Sequence, residues 1–227
     1  MCGRFSLSVT PESLARQFGL GELGDLAPRF NIAPTQAALV VRQGVPERDG
    51  VGGRIAEAMH WGLVPSWSKD PRAGARMINA RAETAAEKPA FRSALRRRRC
   101  LVPADGFYEW RSEDGRKQPY RITLADGGPF GMAGLWEVWR GPEGDALCSF
   151  AILTTAANAL VGPIHDRMPV IVEPGAYGVW LDPDMQETAP LEPLMVPYPS
   201  DRMALYPVSS RVNTPANDDP DCIAPLA

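Results

Sequence analysis

No stretch of this sequence stays apolar for the roughly 20 residues that a membrane-spanning helix needs. The opening residues Met-Cys-Gly-Arg-Phe-Ser are too polar for a secretory signal. Both absences point to a cytoplasmic chain with no membrane role. Cysteine is scarce: Cys2, Cys100, Cys148 and Cys222, with no C-x-x-C pair among them. Only His60 and His165 could join them as ligands, so no zinc pattern forms, and no metal or cofactor is expected. The thiols are read as reduced rather than paired in a disulfide framework. Repeats, low-complexity blocks and linkers are missing too. The 227 residues are therefore read as one domain, 1–227.

An excess of positive charge is also lacking. The formal net charge is −3, which as a sum argues against binding a polyanion. Its distribution argues otherwise. Lys69 to Arg99 holds ten Lys or Arg and only three acids, and much of the compensating acid lies between Asp182 and Asp221. A molecule polarised in this way presents one basic face despite a negative total. The Arg-rich stretch lies close in sequence to Trp61 and Trp67, and Arg beside exposed aromatics suits single-stranded nucleic acid. Arg96 to Arg99 also read simply as a solvated helix end.

What is abundant is turn chemistry, with 23 prolines and 21 glycines, alongside 44% apolar residues. That mixture suits many short strands around a sizeable core. Thr10-Pro11-Glu12 opens a short helix closed near Gly19. Strands are expected at 37–42, 54–63, 100–110, 120–125, 130–139 and 147–154. Residues 82–99 read as a helix broken at Pro89. A further short helix falls near Tyr177 to Leu181. The fold class that follows is α+β, with a mainly antiparallel sheet.

Cys2 is the sharpest chemical feature. A small residue after Met1 normally permits removal of the initiator methionine. The chain would then begin with an α-amine and a thiol on adjacent carbons. The amine, with a reference pKa of about 7.7–8.0, condenses with an aldehyde to an imine. The thiol then closes a five-membered thiazolidine ring at high effective molarity. Ring-opened abasic deoxyribose presents such an aldehyde. The plainer reading, a small residue starting a strand, stands beside this one.

Three other residues invite chemistry. Asn79 can bond a sugar or phosphate, or can cap the helix that follows. Glu109, flanked by Tyr108 and Trp110, is a candidate desolvated acid or base, or a polar residue on a wet strand face. His165 is a candidate proton shuttle or a structural histidine. His60 is read as structural.

Taken together, seven segments resemble the SRAP (SOS response-associated peptidase) family of abasic-site processing proteins. They are Met1–Phe5, Arg29–Pro34, Trp61–Trp67, Asn79–Thr84, Arg99–Trp110, Ile164–Pro169 and Val208–Asn213, in order along nearly the whole chain. The resemblance implies a single β-rich domain with a barrel-like sheet flanked by short helices and a channel for single-stranded DNA. It implies that Cys2 is the crosslinking nucleophile and that Asn79 holds the opened sugar. Glu109 becomes the acid/base for Schiff-base formation, also linked to autocatalytic removal of Met1, and His165 transfers protons in ring opening and adduct reversal. Arg4, Arg81 and Arg167, with Thr154, become phosphate ligands. Asn31, Pro34 and Trp67 join them at the DNA. The implied partner is single-stranded DNA carrying abasic sites, including junctions with duplex, bound by a monomer that is nucleoid-associated when on DNA and needs no protein partner. A lyase-like activity through the Schiff base accompanies that role. The alternative implied by the family name is a thiol peptidase using Cys2, His165 and Glu109. His60 departs from the family pattern, where many relatives carry Arg.

Overall fold

The computed structural model describes residues 2–50, 52–113 and 115–226. Removal of Met1 concerns a residue outside this range. The first strands are β1 (Phe5–Leu7), β2 (Arg29–Ile32), β3 (Ala37–Gln43), β4 (Arg54–Trp61) and β5 (Asn79–Arg81). Next come β6 (Arg99–Ala104), β7 (Gly106–Glu113), β8 (Arg116–Leu124), β9 (Phe130–Arg140) and β10 (Ala146–Ala156). The last are β11 (Arg167–Pro169), β12 (Ile171–Val172) and β13 (Met203–Pro207).

Strands β10, β4, β3, β6 and β9 pair in that order, and β9 pairs back to β10, which closes a ring. Closure removes the exposed edges that an open sheet would leave. Most pairings in the ring are antiparallel; β10 with β4 is parallel, as is the side pairing of β10 with β5. The second sheet, β13-β8-β7-β1-β2, is antiparallel throughout. The α+β, β-rich, barrel-like expectation holds.

Burial follows from this layering. Every residue of β6 is buried, because it is paired with β3 and β9 in the ring and packed against β1. Phe5, Trp61, Leu101, Phe107 and Phe150 share one continuous core that joins the two sheets. The helix Pro11–Phe18 forms as its signals require. Thr10 Oγ1 accepts the Ser13 N–H at 3.3 Å, and Gly19 ends the helix in the left-handed region at φ 63°. Its Leu14 and Phe18 are buried against the barrel. Among the described residues no helix is long and apolar enough to cross a membrane.

Three expectations are corrected. The run 100–110 is two strands, since Asp105 interrupts it. Its carboxylate accepts from Ser6, Ser8 and Arg121 and turns the chain from one sheet to the other. The broken helix at 82–99 shrinks to Ala82–Ala85 and Arg92–Arg97, and Arg99 already belongs to β6. Arg99 is buried and donates to the carbonyls of Leu95, Arg96 and Trp180, while Arg98 pairs with Glu137 at 2.6 Å. Only Arg96 and Arg97 of that quartet form a solvated helix end.

Candidate functional site

The N-terminal residues reach the site along β7. Phe5 pairs with Phe107, and the Tyr108 N–H donates to the Arg4 carbonyl at 3.0 Å. This antiparallel run sets Cys2 beside the stretch of β7 that carries Glu109. From the other side comes β5, laid against β10 with Asn79 opposite Ile152. Asn79 Nδ2 donates to the Cys2 carbonyl at 2.8 Å. Its Oδ1 is buried and has no hydrogen-bond partner among the described residues. A buried amide oxygen without a donor is costly, so this atom is poised to accept from a ligand.

Glu109 is 3% exposed. Burial disfavours its charged form and pushes its carboxyl up to about 7. A group of that pKa is half-protonated near neutrality, which suits it to give and take protons. Cys2 is fully buried; burial, and after it the Glu109 charge, push its thiol up. The thiol is therefore held protonated. Asp166 also acts on Glu109 through its charge, which brings the His165-Asp166 segment to the same place. His165 Nδ1 accepts the Arg167 N–H at 3.0 Å, and burial lowers the imidazole pKa. The neutral ring thus carries its proton on Nε2. Asp166 Oδ1 is also 2.9 Å from Nδ1, a contact that becomes favourable only when the ring is protonated.

The seven residues expected at DNA divide sharply. Trp67 is 66% exposed. With Arg76, Asn79, Arg81, Lys88 and Phe91 it lines an open groove of about 490 Å³. That groove thus gathers an exposed indole, three cations and Asn79. Gly62 makes the approach to Trp67 possible. At φ 131° a Cβ there would stand 2.7 Å from the Gly74 carbonyl oxygen. Pro34 is half-buried in a neighbouring turn, whose Thr35 N–H donates to the Trp61 carbonyl at 2.9 Å.

The other four are already engaged. Arg4 donates to Asn31 Oδ1 at 2.7 Å and to the Val212 carbonyl, with its guanidinium 5.8 Å from the Trp110 ring centroid. Asn31 is fully buried, and its Nδ2 donates to the carbonyls of Val212, Thr214 and Asn217. Its side chain supports Arg4 and the C-terminal segment instead of facing a ligand. Thr154 is buried and donates to the Ala80 carbonyl at 3.4 Å. Arg167 is held by Glu83, a residue to which the sequence reading gave no role. Trp61 is fully buried, its Nε1 donating to the Ile78 carbonyl at 2.9 Å, so it cannot serve as a stacking platform. His60 is half-buried in β4, opposite Ala37 and Ser149.

A family model described as SOS response associated peptidase (SRAP) matches residues 1–215. The chain is 43% identical to the abasic site processing protein YoqW of Bacillus subtilis (strain 168), over 98% of this chain and 99% of that one. It is 34% identical to the abasic site processing protein HMCES of Mus musculus, over 99% of this chain and 76% of the relative. A crystal structure of a protein from Bacteroides thetaiotaomicron superposes with a TM-score of 0.87 at 27% identity, covering all of both chains.

Proposed function

This chain belongs to the SOS response associated peptidase (SRAP) family, and from that premise we propose that it processes abasic sites by capturing them, in single-stranded DNA, as a reversible covalent adduct on Cys2. The observation that carries this reading is the hydrogen bond from Asn79 to the Cys2 carbonyl at 2.8 Å, with the proton-exchanging Glu109 beside the same residue. The neighbouring groove, with an exposed indole and three cations, suits unpaired bases and their phosphates.

The steps balance without a cofactor. Once Met1 is removed, the neutral Cys2 amine adds to the aldehyde carbon of the opened sugar, giving a carbinolamine. The Glu109 carboxylic acid protonates the departing hydroxyl, water leaves, and the resulting iminium returns its N–H proton to the Glu109 carboxylate to give an imine. The Cys2 sulfur then bonds to the imine carbon, and the thiol proton ends on nitrogen. One water is lost and nothing is oxidised or reduced. A thiol held protonated fits this order, because the amine attacks first and the thiol follows within the same residue. His165, with its proton on Nε2, serves ring opening and the reverse reaction. The protein works as a monomer in the cytoplasm, on DNA that is single-stranded at the lesion and tolerates duplex on one side.

Glu109 is also the base proposed for self-removal of Met1. General thiol proteolysis receives less support, since it needs a thiolate and burial pushes the Cys2 thiol the other way. The test is incubation with an abasic oligonucleotide followed by a denaturing gel. Wild type should give a stable adduct. Cys2→Ser should leave only an imine that borohydride traps, and a tag retained before Cys2 should abolish both. Absence of any wild-type adduct ends the reading.

A further inference from the structure

Thr154 stands opposite Arg81 on β5 and opposite Pro169 on β11, so those two strands flank the end of β10 on its two edges. Arg81 and Arg167 therefore sit on either side of β10. Glu83, two residues beyond Arg81, reaches across to Arg167. Its Oε1 and Oε2 accept from Nη1 at 2.6 Å and Nη2 at 2.8 Å. Nη2 also donates to the Thr154 carbonyl. Both terminal nitrogens of the fork are thus occupied, and Nε is buried without a partner among the described residues.

Carboxylate and phosphate offer the same pair of oxygens to an arginine fork. The Glu83 carboxylate is 49% exposed while Arg167 is 15% exposed, so the acid lies over the base on its solvent side. An ion pair with so wet a partner is weak enough for a better anion to displace it. Arg81, in the adjoining groove, stays exposed.

We propose that Glu83 is a built-in stand-in for phosphate, filling the Arg167 fork in the DNA-free protein and yielding it to a backbone phosphate of the bound strand. The carboxylate keeps Arg167 aimed while weakening binding to undamaged DNA. This inference rests on the DNA reading above.

The test is equilibrium binding of an undamaged single-stranded oligonucleotide across a salt series. Glu83→Gln should bind about 2- to 5-fold tighter, with little change in the log–log salt slope, since the wild-type fork also ends on the phosphate. Glu87→Gln makes the same charge change at an exposed position of the same stretch, and should leave the affinity within about twofold of wild type. In an Arg167→Gln background the gain from Glu83→Gln should vanish. Melting curves check folding; should the Gln variant fail to fold, Glu83→Asp, too short for the fork, should show the same gain in affinity. Unchanged or weaker binding by Glu83→Gln, or a gain that survives Arg167→Gln, overturns the stand-in. Wild type that neither binds the oligonucleotide nor forms an adduct with its abasic form overturns the DNA reading itself.

Discussion

Asn79 Nδ2 lies 2.8 Å from the Cys2 carbonyl oxygen, so one amide ties together residues 77 positions apart in the chain. The same amide leaves Oδ1 buried and unpartnered among the described residues, on a side chain that lines the groove. Its role is to fix the reacting residue with one end and receive the sugar with the other. Asn79→Ala should slow adduct formation about 10- to 100-fold, as expected for a lost orienting contact. The cost in stability should be only about 1 kcal/mol. Quenched time courses on denaturing gels, read beside melting curves, check both numbers.

Glu109 imposes a pH signature. The carboxyl must be protonated to expel water, which it is below about 7. The amine must be neutral, which it is above about 7.7–8.0. Adduct formation should therefore follow a bell with its maximum between those values. Glu109→Gln should be slower and should lose the limb that falls at high pH.

The same group also links pH to stability. Its folded pKa is raised, so the folded state holds its proton more tightly. That stabilisation is complete below the ordinary Glu value of about 4.3 and is lost as pH rises through about 7. Wild type should lose on the order of 3 kcal/mol from this source between those limits. Glu109→Gln should show no such loss, as denaturant melts of both proteins at pH 5 and pH 8 would reveal.

The two tryptophans that bracket Trp61–Trp67 should behave oppositely. Trp67→Ala should melt like wild type yet bind single-stranded DNA more weakly, by the roughly 1–3 kcal/mol typical of one base–aromatic stack. Trp61→Ala removes a fully buried ring that packs on Phe5 and Phe150, and should cost about 3–5 kcal/mol of stability. Equal loss of DNA affinity and equal stability in the two variants would contradict their placement.

Asn31 separates support from contact. Asn31→Ala removes three side-chain donations to backbone carbonyls and one of the two acceptors of the Arg4 guanidinium, which keeps the Val212 carbonyl. It should destabilise the fold by about 1–3 kcal/mol or more. The folded fraction should bind undamaged DNA as wild type does, measured by anisotropy at a temperature where both proteins are folded.

The strands and the capped first helix were legible because their signals are local: Thr10, Pro11 and Gly19 act within a single helix, and alternating apolar runs mark sheet faces. Barrel closure was not readable from residue patterns, since the β9–β10–β4–β3–β6 ring rests on pairings between distant segments. The reactive residues were readable by type and by family resemblance. What the sequence could not show is how charge is spent. Arg4, Arg99 and Arg167 look identical to Arg81 in one dimension, yet three are engaged by carbonyls or a carboxylate and one stays exposed. Exposure likewise separates Trp67 from Trp61, although each sits in the same short segment. Glu83 carried one hint, an acid inside a stretch dominated by cations.

The central claim is that Cys2 becomes the N-terminus and joins the abasic sugar through both of its nucleophiles. Intact mass spectrometry of the protein, alone and after incubation with an abasic oligonucleotide, tests it most directly. The expected result is a chain lacking Met1, then a single species heavier by the oligonucleotide minus one water, and no such species for Cys2→Ala without borohydride. A chain that retains Met1 yet forms the adduct, or an adduct equally stable with Cys2→Ala, would contradict the account.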